Sequence, residues 1–173
     1  MKRSTKIFYW DSSVFIALFS NEKGRAENVE QILEEAESGD VYIVTSSFTL
    51  VEVIKMKGKL PLLAAQQKQI TDFFEKDYFL FVDATRKITE AAQRLIWNVP
   101  SLWPKDAVHL ASAIEFFNYE PLDGIHSYDS DFLVLNGKLP ITCSVTEPFP
   151  NQRIMALGVP AVKKPKKKRH DSN

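Results

Sequence analysis

Apolar strand-like runs alternate with amphipathic helical patterns along the 173 residues, which predicts an α/β fold: a central, mostly parallel sheet of about five strands flanked by helices. Three observations carry this expectation. Short runs of β-branched and aromatic residues, such as Ile7-Phe8-Tyr9-Trp10 and Val41-Tyr42-Ile43-Val44, recur between helical segments. The helical segments carry apolar stripes at a spacing of three and four, as at Val29, Ile32, Leu33 and Ala36. The composition, 45% hydrophobic and 25% charged, is that of a globular chain of one-domain size.

Residues 6–10 read as the first strand, followed by helices over 12–19 and 22–38, the second stopping near Gly39. Residues 41–44 read as the second strand. Thr45-Ser46-Ser47 then offers N-caps to an apolar helix over 47–54. A helix is predicted over 61–76 and a third strand over 78–82. Thr85 caps a helix that runs to about Trp97 and is broken at Asn98-Val99-Pro100. Pro104 suits the first position of a helix over 105–117, because the N–H it lacks would have no intrahelical partner there. Strands over 125–128 and 141–145 complete the set. Past Glu147-Pro148-Phe149-Pro150 the pattern dissolves, so a folded domain is expected over 1–149 and a disordered basic tail over 150–173.

The single cysteine, Cys143, excludes an internal disulfide framework and a cysteine-built zinc site, and suits a reducing cytoplasm. It is expected as a small buried strand residue. The segment Met1–Lys6 is followed by only four apolar residues before Asp11, too few for the core of a signal peptide, and no apolar stretch approaches the roughly 18 residues of a membrane span. The formal net charge of zero hides an asymmetry. Residues 163–173 hold six lysines and arginines against Asp171, a net +5 that leaves −5 on the remainder. An acidic body is consistent with carboxylates awaiting a metal, and a basic tail with holding a phosphate backbone.

Four acids stand at informative places. Asp11 closes the first strand, Glu52 interrupts an apolar helix, Asp106 lies in the first turn after Pro104, and Asp129 follows the run Gly124-Ile125-His126-Ser127-Tyr128. Three of these sit at strand ends or helix starts, where a parallel sheet presents its ligand crevice. Each has an ordinary reading alone, as an N-cap, a first-turn acid or a loop acid. Gathered at one crevice they repel: two unit charges about 4 Å apart cost roughly 4 kcal/mol at an effective dielectric near 20. Divalent cations relieve this, and all-oxygen ligation suits Mg²⁺ or Mn²⁺. His109 reads as a helix residue with a satisfied ring rather than a metal ligand. Trp97 and Trp103 read as core or dimer-packing residues, and Lys105 as one of the cations that steer a nucleic acid into the crevice.

The strand-ended Asp11-Ser12-Ser13, the isolated Glu52, the segment Lys105-Asp106-Ala107-Val108-His109-Leu110-Ala111-Ser112-Ala113 and Ser127-Tyr128-Asp129-Ser130-Asp131-Phe132 resemble the ordered acidic motifs of PIN-domain nucleases. Among these the resemblance is to the VapC-type ribonuclease toxins of toxin–antitoxin pairs, and it spans about residues 7–145. It implies a PIN-like three-layer sandwich, an acidic Mg²⁺ or Mn²⁺ site, endoribonuclease activity, a homodimer and inhibition by a small antitoxin partner. Carried onto this chain, Asp11, Glu52, Asp106 and Asp129 bind metal, Ser13 braces the site, and Ser127 orients Asp129. Asp131 is a further acid or the cap of the turn before Phe132. The tail after Phe149 departs from the compact family pattern.

Rival chemistries lack their signatures. A haloacid-dehalogenase-type phosphotransferase needs a second acid two residues after Asp11, where Ser13 stands; a receiver needs an adjacent acidic pair; no phosphate-binding Gly-x-x-x-x-Gly-Lys occurs. The remaining alternative is a catalytically silent PIN-like module that binds RNA or protein.

Overall fold

The computed structural model describes residues 5–54 and 62–149. Its strands are β1 (Lys6–Trp10), β2 (Val41–Ser46), β3 (Phe79–Val82), β4 (Gly124–His126) and β5 (Val145–Thr146). They form one parallel sheet in the order β3-β2-β1-β4-β5. The helices are α1 (Ser12–Phe19), α2 (Arg25–Glu37), α3 (Thr49–Glu52), α4 (Ala64–Phe74), α5 (Arg86–Asn98), α6 (Pro104–Phe117) and α7 (Ser130–Leu133).

Alternation along the strands builds the three layers. Phe8 and Trp10 of β1 face one core with Val41 and Ile43 of β2, under α1, α2 and α4. Tyr9 and Val44 face the other with Ile125 and Val145, under α5 and α6. Phe15 of α1 fits between Phe74 of α4 and Phe79 of β3, with ring centroids 5.1 and 5.9 Å away, so an aromatic cluster ties the first face together.

The order of strands positions the site. From β1 the chain winds outward to β2 and β3, then crosses back through α5 and α6 to lay β4 on the other side of β1. That reversal opens a crevice at the carboxyl ends of β1 and β4, the place where open parallel sheets bind ligands.

Several expected boundaries shift. The fifth strand is only Val145–Thr146, paired with β4, and residues 141–143 bend before it. Cys143 is accordingly half-buried and outside any strand. The strand expected over 125–128 is Gly124–His126, and Tyr128 packs from the following loop instead. The helix expected over 47–54 contracts to the four residues of α3, with Leu50, Val51 and Ile54 exposed. Its apolar composition therefore does not bury Glu52 within a helical stripe. Trp97 and Trp103 are 69% and 63% exposed, so neither belongs to the core. The helix predicted over 61–76 is α4, Ala64–Phe74, with Leu63 and Glu75 as its caps, and the whole of the basic tail lies outside the described residues.

Candidate active site

Asp11 leaves β1 and caps α1. Its Oδ1 accepts from the backbone N–H of Ser13 at 3.0 Å and from the Ser13 hydroxyl at 2.5 Å, while Oδ2 accepts from the Ser127 hydroxyl at 2.6 Å. The residue is only 3% exposed. Burial pushes its carboxyl above the ordinary range, and His109, Ser127 and Ser13 resist that rise.

Both serine hydroxyls also act as acceptors. Ser13 Oγ accepts from the N–H of Tyr128 at 2.8 Å, and Ser127 Oγ accepts from the N–H of Asp129 at 2.9 Å. The loop after β4 is thereby tied to the end of β1, and Asp129 is placed beside Asp11 through a single hydroxyl. Asp129 caps α7, its Oδ1 accepting from the N–H of Asp131 at 2.9 Å. Asp131 is exposed in that first turn, so the cap of the turn is Asp129 rather than Asp131.

Asp106 is buried in the first turn of α6, behind Pro104. Burial raises its carboxyl, Lys105 draws it down, and the charges of Asp129 and Asp11 raise it again. Lys105 Nζ lies 3.3 Å from Asp106 Oδ1 and donates to Asp129 Oδ2 at 3.1 Å. Although burial works against its charge, Asp106 and Asp129 together hold the Lys105 ammonium well above the usual lysine range.

Glu52 reaches the same edge from α3. Its Oε2 lies 2.7 Å from His109 Nε2, and His109 Nδ1 lies 2.9 Å from the hydroxyl of Tyr9. With Tyr9 donating to Nδ1 and Nε2–H donating to Glu52, the buried imidazole is satisfied at both nitrogens. Burial favours the protonated Glu52, but the hydrogen bond from His109, joined by Ser12 and the charge of Lys105, outweighs it and brings the carboxyl below its ordinary value. The expectation of a satisfied His109 ring holds, and its partner is a candidate site residue. Tyr9 and the bridging position of Lys105 were not apparent from sequence. The available signal was the i, i+3 spacing of Asp106 and His109, which sets both on one face of α6.

A cleft of about 660 Å³ opens here, lined by Ser13, Arg25, Glu52, Lys105, Tyr128 and Asp129 among others. A second cavity of about 680 Å³, bounded by Leu50, Leu62, Ile70, Phe74 and Phe81, is mostly apolar and holds none of the four acids.

Among the described residues no three His, Cys, Asp or Glu side chains are placed to hold a metal ion as they stand. Their chemistry nonetheless fits a hard divalent cation. The donors are carboxylate oxygens, two of the carboxyls are pushed upward by burial, and a lysine ammonium already stands between Asp106 and Asp129 as a cation of the structure's own. Among the described residues no helix is long and apolar enough to cross a membrane.

Solved structures share this architecture. A toxin–antitoxin complex from Klebsiella pneumoniae is similar over 84% of this chain and 98% of its own, at 23% identity and a TM-score of 0.53. The VapC20 toxin of Mycobacterium tuberculosis, described as cleaving the sarcin–ricin loop, matches 72% of this chain and 92% of its own at 15% identity and 0.53. FitAcB from Neisseria gonorrhoeae covers 82% and 97% at 15% identity and 0.53. At such identities the likeness is one of fold. No curated protein matches the chain. The sequence model of the PIN domain, however, matches residues 8–136, from within β1 to just past α7. With the sheet order and the acidic crevice, that match makes this chain a member of the PIN-domain family.

Proposed function

We propose that this chain is a divalent-metal-dependent endoribonuclease, the toxin of a toxin–antitoxin pair, cutting phosphodiester bonds of single-stranded or structured RNA. The observation that carries the reading is the joining of buried Asp11 to Asp129 through Ser127, with Asp129 joined in turn to Asp106 through Lys105. A parallel sheet has no structural need for three carboxylates at its switch point, whereas phosphodiester hydrolysis needs charge held there.

In this reading Asp11, Glu52, Asp106 and Asp129 hold Mg²⁺ or Mn²⁺. When bound, such an ion activates water and stabilises charge on the phosphate. Ser13 and Ser127 orient Asp11 by hydrogen bonding, and His109, itself anchored by Tyr9, orients Glu52. Asp131 serves only the first turn of α7. Arg25 and Lys105 line the cleft where the RNA phosphates would pass. An antitoxin partner, a homodimer and a cytoplasmic location belong to the same reading. They are supported by the family, by the toxin–antitoxin complex from Klebsiella pneumoniae among the similar folds and by the free thiol of Cys143. So does the division into a nuclease domain over 1–149 and a basic tail over 150–173.

A second reading, a PIN-like binding module without catalysis, is favoured by one observation: among the described residues no three His, Cys, Asp or Glu side chains are placed to hold an ion as they stand. Incubation of the purified chain with a mixed single-stranded RNA pool and Mn²⁺ separates the two. Cleavage abolished by chelator and lost in Asp106→Asn is the expected result. Folded protein that binds RNA and never cuts it would overturn the nuclease reading in favour of the module.

A further inference from the structure

Among the described residues Lys105 is the basic side chain paired with two of the four acids. Its ammonium lies 3.3 Å from Asp106 Oδ1 and 3.1 Å from Asp129 Oδ2. Asp106 belongs to the first turn of α6 and Asp129 caps α7, so one cation joins two elements that are separate in sequence. The acids it joins are largely sequestered, with side-chain exposures of 5% and 25%, while the lysine side chain is 49% exposed and lines the cleft. Carboxylates in this setting require a positive partner, and here the chain supplies one.

A lysine ammonium is a compact charge on a flexible four-carbon stem. A divalent ion shared by the same carboxylate oxygens would need the space the ammonium fills, and the two cations would repel at that range. The stem leaves an exposed position in the first turn of α6, so the head can leave without unfolding the helix.

We propose that Lys105 is the resident counter-ion of the metal site: it holds Asp106 and Asp129 together while no divalent ion is bound and is displaced when one binds. Loading the site then releases the ammonium into the cleft, where an RNA phosphate would meet it. The inference rests on the metal-dependent reading above and adds to it a competition between the chain's own cation and the ion.

Mn²⁺ titration calorimetry on the full-length chain tests this, with Lys105→Met, Lys105→Arg and Asp106→Asn as variants. Removing the competing charge should tighten Mn²⁺ binding about tenfold or more in Lys105→Met, while Lys105→Arg stays close to the parent. In a second arm the unaltered protein is treated with an amine-acetylating reagent, and modification at Lys105 is followed by mass spectrometry. Mn²⁺ should accelerate that modification severalfold. This arm needs no substitution at Lys105 and so does not depend on the variants folding. Equal or weaker Mn²⁺ binding by Lys105→Met, with binding by the parent intact and lost in Asp106→Asn, would overturn the inference alone, as would protection of Lys105 by Mn²⁺. Absence of Mn²⁺ binding from parent and Lys105→Met alike would overturn both the inference and the metal-dependent reading.

Discussion

His126 shows how strongly one buried ring answers to its surroundings. Its Nδ1 accepts the indole N–H of Trp10 at 2.9 Å, and its ring stacks on Phe8 with centroids 4.4 Å apart. Burial, aided by the charge of Lys6, lowers its pKa from 6.5 to about 3. The folded state therefore keeps the ring neutral while the unfolded chain takes a proton. Stability is complete above the unfolded value of 6.5 and is lost as the pH falls toward 3. By pH 5 this linkage costs about 2 kcal/mol. The raised carboxyls of Asp11 and Asp106 act in the opposite sense: their contribution is present below the ordinary carboxylate range and is lost as the pH rises through the folded values. Comparison of the parent with His126→Asn isolates the imidazole from that background. Urea denaturation of metal-free protein at pH 7 and pH 5 should find the variant less stable at pH 7, with a drop on acidification smaller by about 2 kcal/mol. Equal drops would show that another group governs the acid lability.

At the scale of elements, the site depends on a four-residue helix held by a fourteen-residue one. α3 makes one turn, too short to fix a side chain by its own hydrogen bonds. α6 is long, is buried along Ala107, Leu110, Ala111 and Ala113, and carries Asp106 and His109 on one face. Glu52 thus takes its orientation from α6 through His109 and ultimately from β1 through Tyr9. Substitution of His109 by Leu should leave a folded protein whose single-turnover RNA cleavage is slower by about 10- to 100-fold, the usual cost of removing a group that orients a metal ligand. His109→Gln, which keeps an N–H donor, should recover part of that loss while melting at a temperature similar to the Leu variant. Equal activities of the two would remove His109 from the machinery and leave it a packing residue.

At the scale of the whole molecule, charge is divided between an acidic body and a basic end. The six cations of residues 163–173 are offset there only by Asp171. Deleting these residues should weaken binding of single-stranded RNA at low salt and leave the cleavage rate at saturating RNA unchanged. If all six cations contact phosphates, the slope of log affinity against log salt concentration becomes shallower by about 4. Filter binding over a salt series measures this, and an unchanged slope would dismiss the tail as an RNA-binding arm.

The sequence determined the class of the fold and singled out the acids proposed for the site. Strand-like runs alternating with helical stripes led to a parallel sheet, and the punctuation at Asp11, Pro104 and Asp129 placed carboxylates at element ends, because capping and strand patterning are local chemistry. Local chemistry also explains where that reading failed. Residues 141–145 and 47–54 have the composition of a longer strand and a longer helix, yet the folded chain forms only Val145–Thr146 and Thr49–Glu52 there. Trp97 and Trp103 read as core or dimer-packing residues, and their exposure of 69% and 63% removes the first of these options. The links Asp11–Ser127–Asp129, Asp106–Lys105–Asp129 and Glu52–His109–Tyr9 join residues 24 to 116 positions apart, apart from the neighbouring pairs Ser127–Asp129 and Lys105–Asp106. Hydrogen bonds and charge pairing act over a few ångströms of space, and only the winding of the chain around β1 brings those groups within that range.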